Sequence, residues 1–327
     1  MPTPVTVYRW DDPGAPQITT GAAKEWFAIL KQCLVEGYGD KQPLGWTVVN
    51  EVNDPPHLCL QNNTDQGASG GYVMLDAANN NGSGNVIIVS ALDYSDESTH
   101  SRLGRANVFS AFRSSGTYQC KNWLVIATHY GFYLFASTDH LAASNYLNRK
   151  YIVFFYCGDY IPVIQNDPCR FVALTGSQGS PTGSRSYNET LIRTIQYSDP
   201  DYASYAVENI YAFDSTASSA GQPLYMMSMF GKNTRGSSNL FDTEPDITLL
   251  SPFYLFAGGW EKSDADNNAT LSPHVRGQVP GLWVSPQTGF GNKSMPFIKS
   301  LSGINYLSIP CTENTAGIVA WLNLEEW

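Results

Sequence analysis

The chain has 327 residues, a formal net charge of −10, 15 % charged and 13 % aromatic side chains, and no block of Lys or Arg. The missing basic stripe predicts no direct binding to nucleic acid. No apolar run reaches the roughly 20 residues of a membrane-spanning helix, and the N-terminus lacks the features of a signal peptide, so we expect a soluble chain made in the cytoplasm.

The N-terminal residues 1–20 predict an extended arm or edge strand that ends in an Asp-Asp-Pro-Gly turn. Extended arms of this kind add strands to neighbouring subunits in assemblies. We therefore expect residues 2–18 to pair with a neighbour, with four apolar side chains of the arm at an interface: Val5, Val7, Tyr8 and Trp10.

One amphipathic helix is predicted over residues 21–36, with Thr20 as its cap and Gly37 as its stop. Its apolar side chains recur at spacings of three and four residues: Trp26, Phe27, Leu30, Cys33 and Leu34. This is the only clear helical pattern in the chain.

Short strands separated by Asn- and Gly-rich loops follow the helix, and their spacing fits a sandwich or barrel. They are predicted at residues 45–51, 57–61, 71–76 and 85–90. Residues 118–176 then predict a hairpin and a meander, with apolar runs at 122–128, 132–136, 151–156, 160–164 and 169–174. Because these runs are nearly continuous, the strands are predicted to be buried on both faces.

The second half predicts a further set of strands after a Gly- and Ser-rich linker. Its strands are predicted at 189–197, 206–213, 224–230, 247–257, 281–285, 306–310 and 317–324. The predicted divisions are an arm (1–20), a β-rich domain with one helix (21–175), a linker (176–184), and a second β-rich domain or a completion of the first (185–327). The fold class is mainly β, with antiparallel sandwich or barrel-like sheets. Two long polar loops, 231–245 and 258–278, are expected to form interfaces.

Two motifs resemble functional sites, but their contexts favour plain loops. The string Gly67–Gly71 matches a nucleophile elbow around Ser69, yet a loop precedes it and a strand follows, which reverses the required order. The acidic string 264–268 resembles the opening of a calcium loop, but Ala269 and Val275 occupy positions that need Gly and Glu. The cysteines and histidines lack metal-ligand spacing. We expect no catalytic residue, metal or cofactor.

Exposed aromatic residues near the long loops offer a different kind of site. Tyr254, Trp260, Trp283 and Phe290 could stack on sugars or enter a partner surface. The alternative is that they are core residues of the adjacent strands. Trp260 and Trp283 are accordingly candidate interface residues.

Several segments resemble a family of uncharacterised structural proteins from the virions of tailed bacteriophages and prophages. The resemblance is strongest in residues 5–47, within the strings 5–17, 33–39 and 43–47, and it extends to residues 120–175. It implies a virion structural protein with no known catalytic residues.

The function predicted from the sequence is therefore a structural component of a tailed-phage virion, in the tail or baseplate region, that is not an enzyme. It would act through interfaces with other virion proteins, in repeated copies within a symmetric assembly. The alternatives are a virion protein that binds carbohydrates or a host receptor, with host surface glycans as ligands, or a capsid decoration protein. A hydrolase built on Ser69 is a third hypothesis.

Overall fold

The computed structural model describes most of the chain and shows a mainly β protein. The described residues are 2–77, 85–110, 121–137, 152–175, 191, 195, 208–212, 215–216, 221–228, 249–257, 274–285, 297–310 and 319–327. Within them, no helix is long and apolar enough to cross a membrane. The predicted linker, the loop 231–245, Trp260, Phe290 and the acidic string 264–268 lie outside the described residues.

The described elements of the first half are one helix followed by a π-helical turn (Gln32–Glu36), a short 3₁₀ turn (Thr64–Gln66) and twelve strands. They are β1 Thr6–Arg9, α1 Ala23–Lys31, β2 Thr47–Asn53, β3 Pro56–Gln61, β4 Tyr72–Ala77, β5 Asn85–Asp96, β6 Thr99–Leu103, β7 Asn107–Ser110, β8 Asn122–Ala127, β9 Gly131–Ser137, β10 Ile152–Asp159, β11 Ile161–Pro162 and β12 Phe171–Leu174.

The described strands of the second half are β13 Glu208–Ile210, β14 Gln222–Ser228, β15 Ser251–Ala257, β16 His274–Ser285, β17 Phe297–Leu301, β18 Ile304–Pro310 and β19 Val319–Asn323. Two predictions are wrong here. The loop predicted to reach residue 278 ends earlier, because β16 begins at His274. The strand predicted at 189–197 is helical at Leu191 and Ile195, whose four-residue spacing places both on one buried helical face.

The strands form three antiparallel sheets. We name them the first sheet (β2-β3-β4-β5-β6, with β7 also paired to β5), the middle sheet (β1-β8-β9-β10-β12) and the third sheet (β13-β14-β15-β16-β19-β18-β17, with β11 also paired to β16). The mainly β, antiparallel fold class with one N-terminal helix is thus confirmed.

The middle sheet is buried on both faces, as its continuous apolar runs predict. Side chains alternate along its strands, so Trp123 and Val125 of β8 pack against the first sheet and α1, whereas Leu124 and Ile126 pack against the third sheet. We call the cluster between the first and middle sheets the first core, and the cluster between the middle and third sheets the second core. The result is a stack of three β layers, with α1 packed into the first core.

The N-terminus of α1 is stabilised by a glutamate rather than by the predicted cap. The capping residue is Ala22, which makes no side-chain hydrogen bond to the helix. Instead, the carboxylate of Glu25 accepts from the backbone N–H groups of Thr20 at 2.9 Å and Gly21 at 2.6 Å. At the other end, Gly37 adopts a φ of 77° and ends the π-helical turn, as predicted.

The N-terminal segment is part of the fold and not a free arm. β1 pairs with β8 of its own chain, and Tyr8 is fully buried, with its hydroxyl donating to the carbonyl of Gln42 at 2.7 Å. The outer edge of β1 is occupied at both ends. The N–H of Val5, just before the strand, donates to the carbonyl of Glu325, and the N–H of Arg9 donates to the carboxylate of Asp12. Residues 6–9 are therefore an edge strand of the chain's own middle sheet, which was one of the two predicted forms, and the addition of residues 2–18 to a neighbour stays a prediction.

The two predicted halves share a core. Leu224 and Leu322 of the third sheet belong to the same hydrophobic cluster as Leu124 and Phe154 of the middle sheet. After β10 the chain leaves the middle sheet, and β11 pairs with β16 at Gln278 and Gly277. Described residues of the second half therefore pack against the first half across a shared core.

Candidate functional site

A cleft of about 720 Å³ opens where β10 passes from the middle sheet into β11. Its lining comes from distant parts of the chain, including Thr3, Tyr130, Arg170, Pro280 and Trp327. A concave site of this volume falls within the range of small-molecule pockets.

Asp159, at the end of β10, anchors the floor of the cleft. Its carboxylate is 3 % exposed and accepts hydrogen bonds from the Ser69 backbone N–H at 2.8 Å, the Ser69 hydroxyl at 2.5 Å and the Asn62 amide at 3.0 Å. Burial raises its pKa, against the opposing effect of Ser69 and Arg170. Asp159 is thus a structural acceptor that ties the 62–71 loop to β10.

These contacts explain the Gly67–Gly71 string. The Ser69 hydroxyl donates to Asp159 and accepts from the backbone N–H of Gly71 at 3.3 Å, so it closes a turn. The sequence did not reveal Asp159 as its partner, because residues 157–159 fall between two predicted strands, 151–156 and 160–164. Gly158 in fact lies inside β10, at a φ of 149° and tight against Gly131 of the paired strand.

Arg170 forms the second charged group of the floor. Its Nε donates to Asp159 Oδ2 at 2.9 Å, and its two terminal nitrogens donate to the carbonyls of Gly67 at 2.8 Å and Asp167 at 3.3 Å. These three bonds use three of the five N–H groups of a guanidinium. Arg170 is therefore held rigidly while it lines the cleft.

One wall of the cleft is the 160–167 segment, which a buried ion pair attaches to β16. Arg276 contacts the carboxylate of Asp167 at 2.6 Å, and both side chains are less than 10 % exposed. The hydroxyl of Tyr160 donates to the same carboxylate at 2.7 Å. Burial, the largest cause, raises the pKa of Tyr160, so its hydroxyl remains a donor.

The outer face of this wall is unusually apolar. Ile161, Val163 and Ile164 are 46 %, 65 % and 52 % exposed. Ile161 and Val163 also line the cleft. We call these three residues the aliphatic patch.

The opposite wall is aromatic. Trp327 packs edge-on against Tyr133, with 5.2 Å between ring centroids, and its indole covers Gly281, where a Cβ would lie 2.2 Å from the ring nitrogen. Its Nε1 donates to the carbonyl of Asn323 at 2.9 Å. Tyr130 also lines the cleft; it is half-buried, and its ring is tilted against that of His129. Two aromatic side chains therefore face the cleft in fixed positions.

Comparisons with known proteins give no family for this chain. No protein-family model matches it, and no curated protein does so. What can be said of its function depends on the geometry and on the sequence resemblance.

The predicted interface residues occupy different environments. Val5, Val7 and Trp10 pack against the core between the middle and third sheets, which gives them an intrachain role. Tyr8 is fully buried, so its prediction as an interface residue is wrong for the folded chain. Trp283 lies in β16, paired with Trp321 and half-buried on the outer face of the third sheet.

None of these residues lines the cleft, and sequence reasoning missed the residues that do. A signal was present in the run Ile161–Ile164, which was interpreted as a buried strand. Its two-residue strand and its exposed aliphatic side chains show instead that the apolar run leaves the core at this point.

Metal ligands and reactive thiols are two further kinds of site. Within the described ranges, no group of three or more His, Cys, Asp or Glu side chains is placed to hold a metal ion. Cys33, Cys59, Cys157 and Cys169 are free and buried. Burial is the largest cause that raises the pKa of each thiol, which agrees with structural roles.

A buried carboxylate joins the three sheets away from the cleft. Glu208 of β13 is fully buried and accepts from the backbone N–H groups of Arg105, Asn209 and Ala173 and from the hydroxyl of Ser90. Burial raises its pKa to about 7, and these hydrogen bonds oppose the rise. The carboxylate therefore links β5, β12 and β13, and the free-energy cost of burying it depends on pH.

Proposed function

We propose that this chain is a structural component of a tailed-bacteriophage virion, in the tail or baseplate region, and that it acts through contacts with other virion proteins. The aliphatic patch is the observation that supports the protein-contact part of the proposal. Three adjacent side chains, Ile161, Val163 and Ile164, are about half exposed or more. Clustered apolar side chains at a surface are typical of protein–protein interaction sites.

The patch is also rigid, which favours binding. The ion pair of Asp167 with Arg276 and the hydrogen bond from Val163 N–H to the Arg276 carbonyl at 2.9 Å hold its backbone on β16. An interface that is ordered before binding loses less conformational entropy on association. The virion part of the proposal rests on the sequence resemblance in residues 5–47 and 120–175.

The first test is to detect and locate the chain in purified particles by imaging them at a resolution that allows side chains to be traced. We expect repeated copies, with the aliphatic patch covered by a neighbouring protein. A particle preparation that is infectious and lacks the chain would overturn the proposal.

The second test uses a charged substitution in the patch. Ile161→Asp places a charge where a neighbour would exclude water, so we expect at least a tenfold drop in the number of copies incorporated per particle. Ile298→Asp is the matched control, because Ile298 is an isoleucine with the same 46 % exposure on β17. Equal incorporation of the two variants would count against the patch as the contact surface.

A further inference from the structure

The side chains that line the cleft favour an uncharged ligand. Among the described lining residues, only Asp159 and Arg170 have charged side chains, and they neutralise each other in a pair at 2.9 Å. The pair leaves no net side-chain charge in the described lining that would attract an ionic ligand. The remaining polar side chains in the lining are hydroxyls and amides.

The same lining combines flat apolar surfaces with groups that both donate and accept hydrogen bonds. Tyr130 and Trp327 supply the aromatic surfaces, and Gln165 and Asn166 supply exposed amides at the rim. A saccharide has apolar C–H faces that pack on aromatic rings and hydroxyls that need both donors and acceptors. Arg170 adds two further N–H groups beyond its three bonds.

The cleft is also preorganised, because its floor and its aromatic wall are held by internal bonds. The hydroxyl of Tyr156 donates to the carbonyl of Asp159, and the Asn62 amide donates to the carbonyl of Tyr130 at 3.2 Å. Rigid aromatic and polar groups give affinity at a low entropy cost on binding.

An extended peptide is a poorer fit, since the nearest strand edge is blunted. Val163 directs its N–H at Arg276 of β16, so the backbone of Pro162 faces the other way. Proline has no N–H to offer an added strand. A peptide would have to bind through side chains alone.

We propose that the cleft beside β11 is a binding site for a neutral saccharide, with Tyr130 and Trp327 as its stacking surfaces and Gln165, Asn166 and Arg170 as its hydrogen-bonding groups. The proposed site differs from the glycan contacts predicted at Trp260 and Trp283. Saccharide binding at this cleft is a property of the isolated chain and does not depend on the presence of the chain in a virion.

The test is titration calorimetry of the purified full chain with trisaccharides of glucose, galactose and N-acetylglucosamine, in parallel with an uncharged apolar peptide. At least one trisaccharide is expected to bind, with an affinity that does not change with salt because the ligand carries no charge. Binding of the peptide alone, strong salt dependence, or no saccharide binding below about 10 mM would overturn the proposal.

Matched variants assign the binding to the cleft. Tyr130→Ala is expected to weaken trisaccharide binding about tenfold. Tyr72→Ala, which removes another half-buried tyrosine in a tilted ring pair, should leave binding unchanged. Gln165→Ala is expected to weaken it about fivefold, with Gln42→Ala as its exposed control. The glutamine substitutions touch only exposed side chains, so they keep the test valid if Tyr130→Ala fails to fold. Equal affinities within each pair would refute the assignment.

Discussion

At the scale of single residues, Glu208 shows how one buried group can make the stability of the whole chain depend on pH. Its carboxylate has four hydrogen-bond donors in the structure, and burial is the main cause of its raised pKa. Other groups near it are Arg105, the Cys157 thiol and the Tyr211 hydroxyl. Because burial disfavours the charged form of an acid, the folded state favours the protonated carboxyl.

The sign of the effect follows from linkage. Below pH 4.5 the carboxyl is protonated in both states, and above pH 7 it is ionised in both. Between these values the unfolded chain gives up its proton first, so the free energy of unfolding falls as the pH rises. The contribution is on the order of 3 kcal/mol.

Glu208→Gln is expected to remove this contribution. The variant should lose less stability between pH 5 and 8 than the wild type does, because its amide does not ionise. Urea unfolding at several pH values measures this, with the exposed Glu97→Gln as control. An unchanged pH slope in Glu208→Gln would show that Glu208 does not titrate in this range.

At the scale of elements, sequence patterns predicted most of the strands because burial imposes a period of two or a continuous apolar run. The strands of the middle sheet were predicted in this way, and the helix near residues 21–36 was predicted from apolar spacings of three and four residues. The lengths of β5 and β16 were not, because polar residues such as Asp93 and His274 continue these strands beyond their apolar parts. Pairing with a neighbouring strand, which sequence alone does not show, extends them.

The cleft could not be predicted for the same reason. Its floor joins residues that lie far apart in the chain, such as Ser69 and Asp159, and no local pattern marks the pair. Buried ion pairs such as Asp167 with Arg276 also depend on tertiary contacts. In the sequence, each of these residues is an ordinary polar position in a loop or strand.

The Asp167–Arg276 pair allows a prediction for the attachment of β11. Arg276→Met is expected to lower the free energy of unfolding by about 3–5 kcal/mol, because it leaves a buried carboxylate without its cation. Adding Asp167→Asn should recover part of this loss, because the amide oxygen can still accept from the Cys169 N–H. In the wild type, the Cys169 nitrogen lies 2.9 Å from Asp167 Oδ1. Urea denaturation of the two single variants and the double variant gives the coupling energy.

A surface pair provides the control for that cycle. Lys31 and Glu51 approach to 2.7 Å, but their side chains are 28 % and 41 % exposed. Lys31→Met is therefore expected to cost less than about 1 kcal/mol. If Arg276→Met were as mild as Lys31→Met, the buried pair would not be what fixes the 160–167 segment.

At the scale of the whole molecule, the N-terminal segment is a structural requirement. Tyr8 lies in the first core, Val7 packs on the second, and Thr3 exchanges backbone hydrogen bonds with Trp327 at 2.7 and 3.0 Å. The sequence suggested an arm because residues 1–20 are extended and rich in proline. It did not show that the partner strand, β8, lies in the same chain.

Deleting residues 2–18 is therefore expected to abolish cooperative folding, rather than to leave a folded chain without an arm. The deletion uncovers Trp123 and Val125 of β8 and removes the fully buried Tyr8. Thermal unfolding followed by circular dichroism checks this. Tyr8→Phe is the mild control, which removes only the hydrogen bond to Gln42 and should cost about 1 kcal/mol. A truncated chain that unfolds at the wild-type temperature would contradict the expectation.

The layered arrangement also has a consequence for synthesis on the ribosome. The face of the middle sheet that carries Leu124 and Phe154 is covered by strands that end with β19, so roughly 150 more residues must be translated before the last of them exists. At about 5–20 residues per second, this face stays open to water for roughly 10 to 30 s. During that interval the nascent chain presents a flat apolar sheet to its surroundings. Its yield in the cell should therefore depend on chaperones that shield such a surface until the third layer arrives.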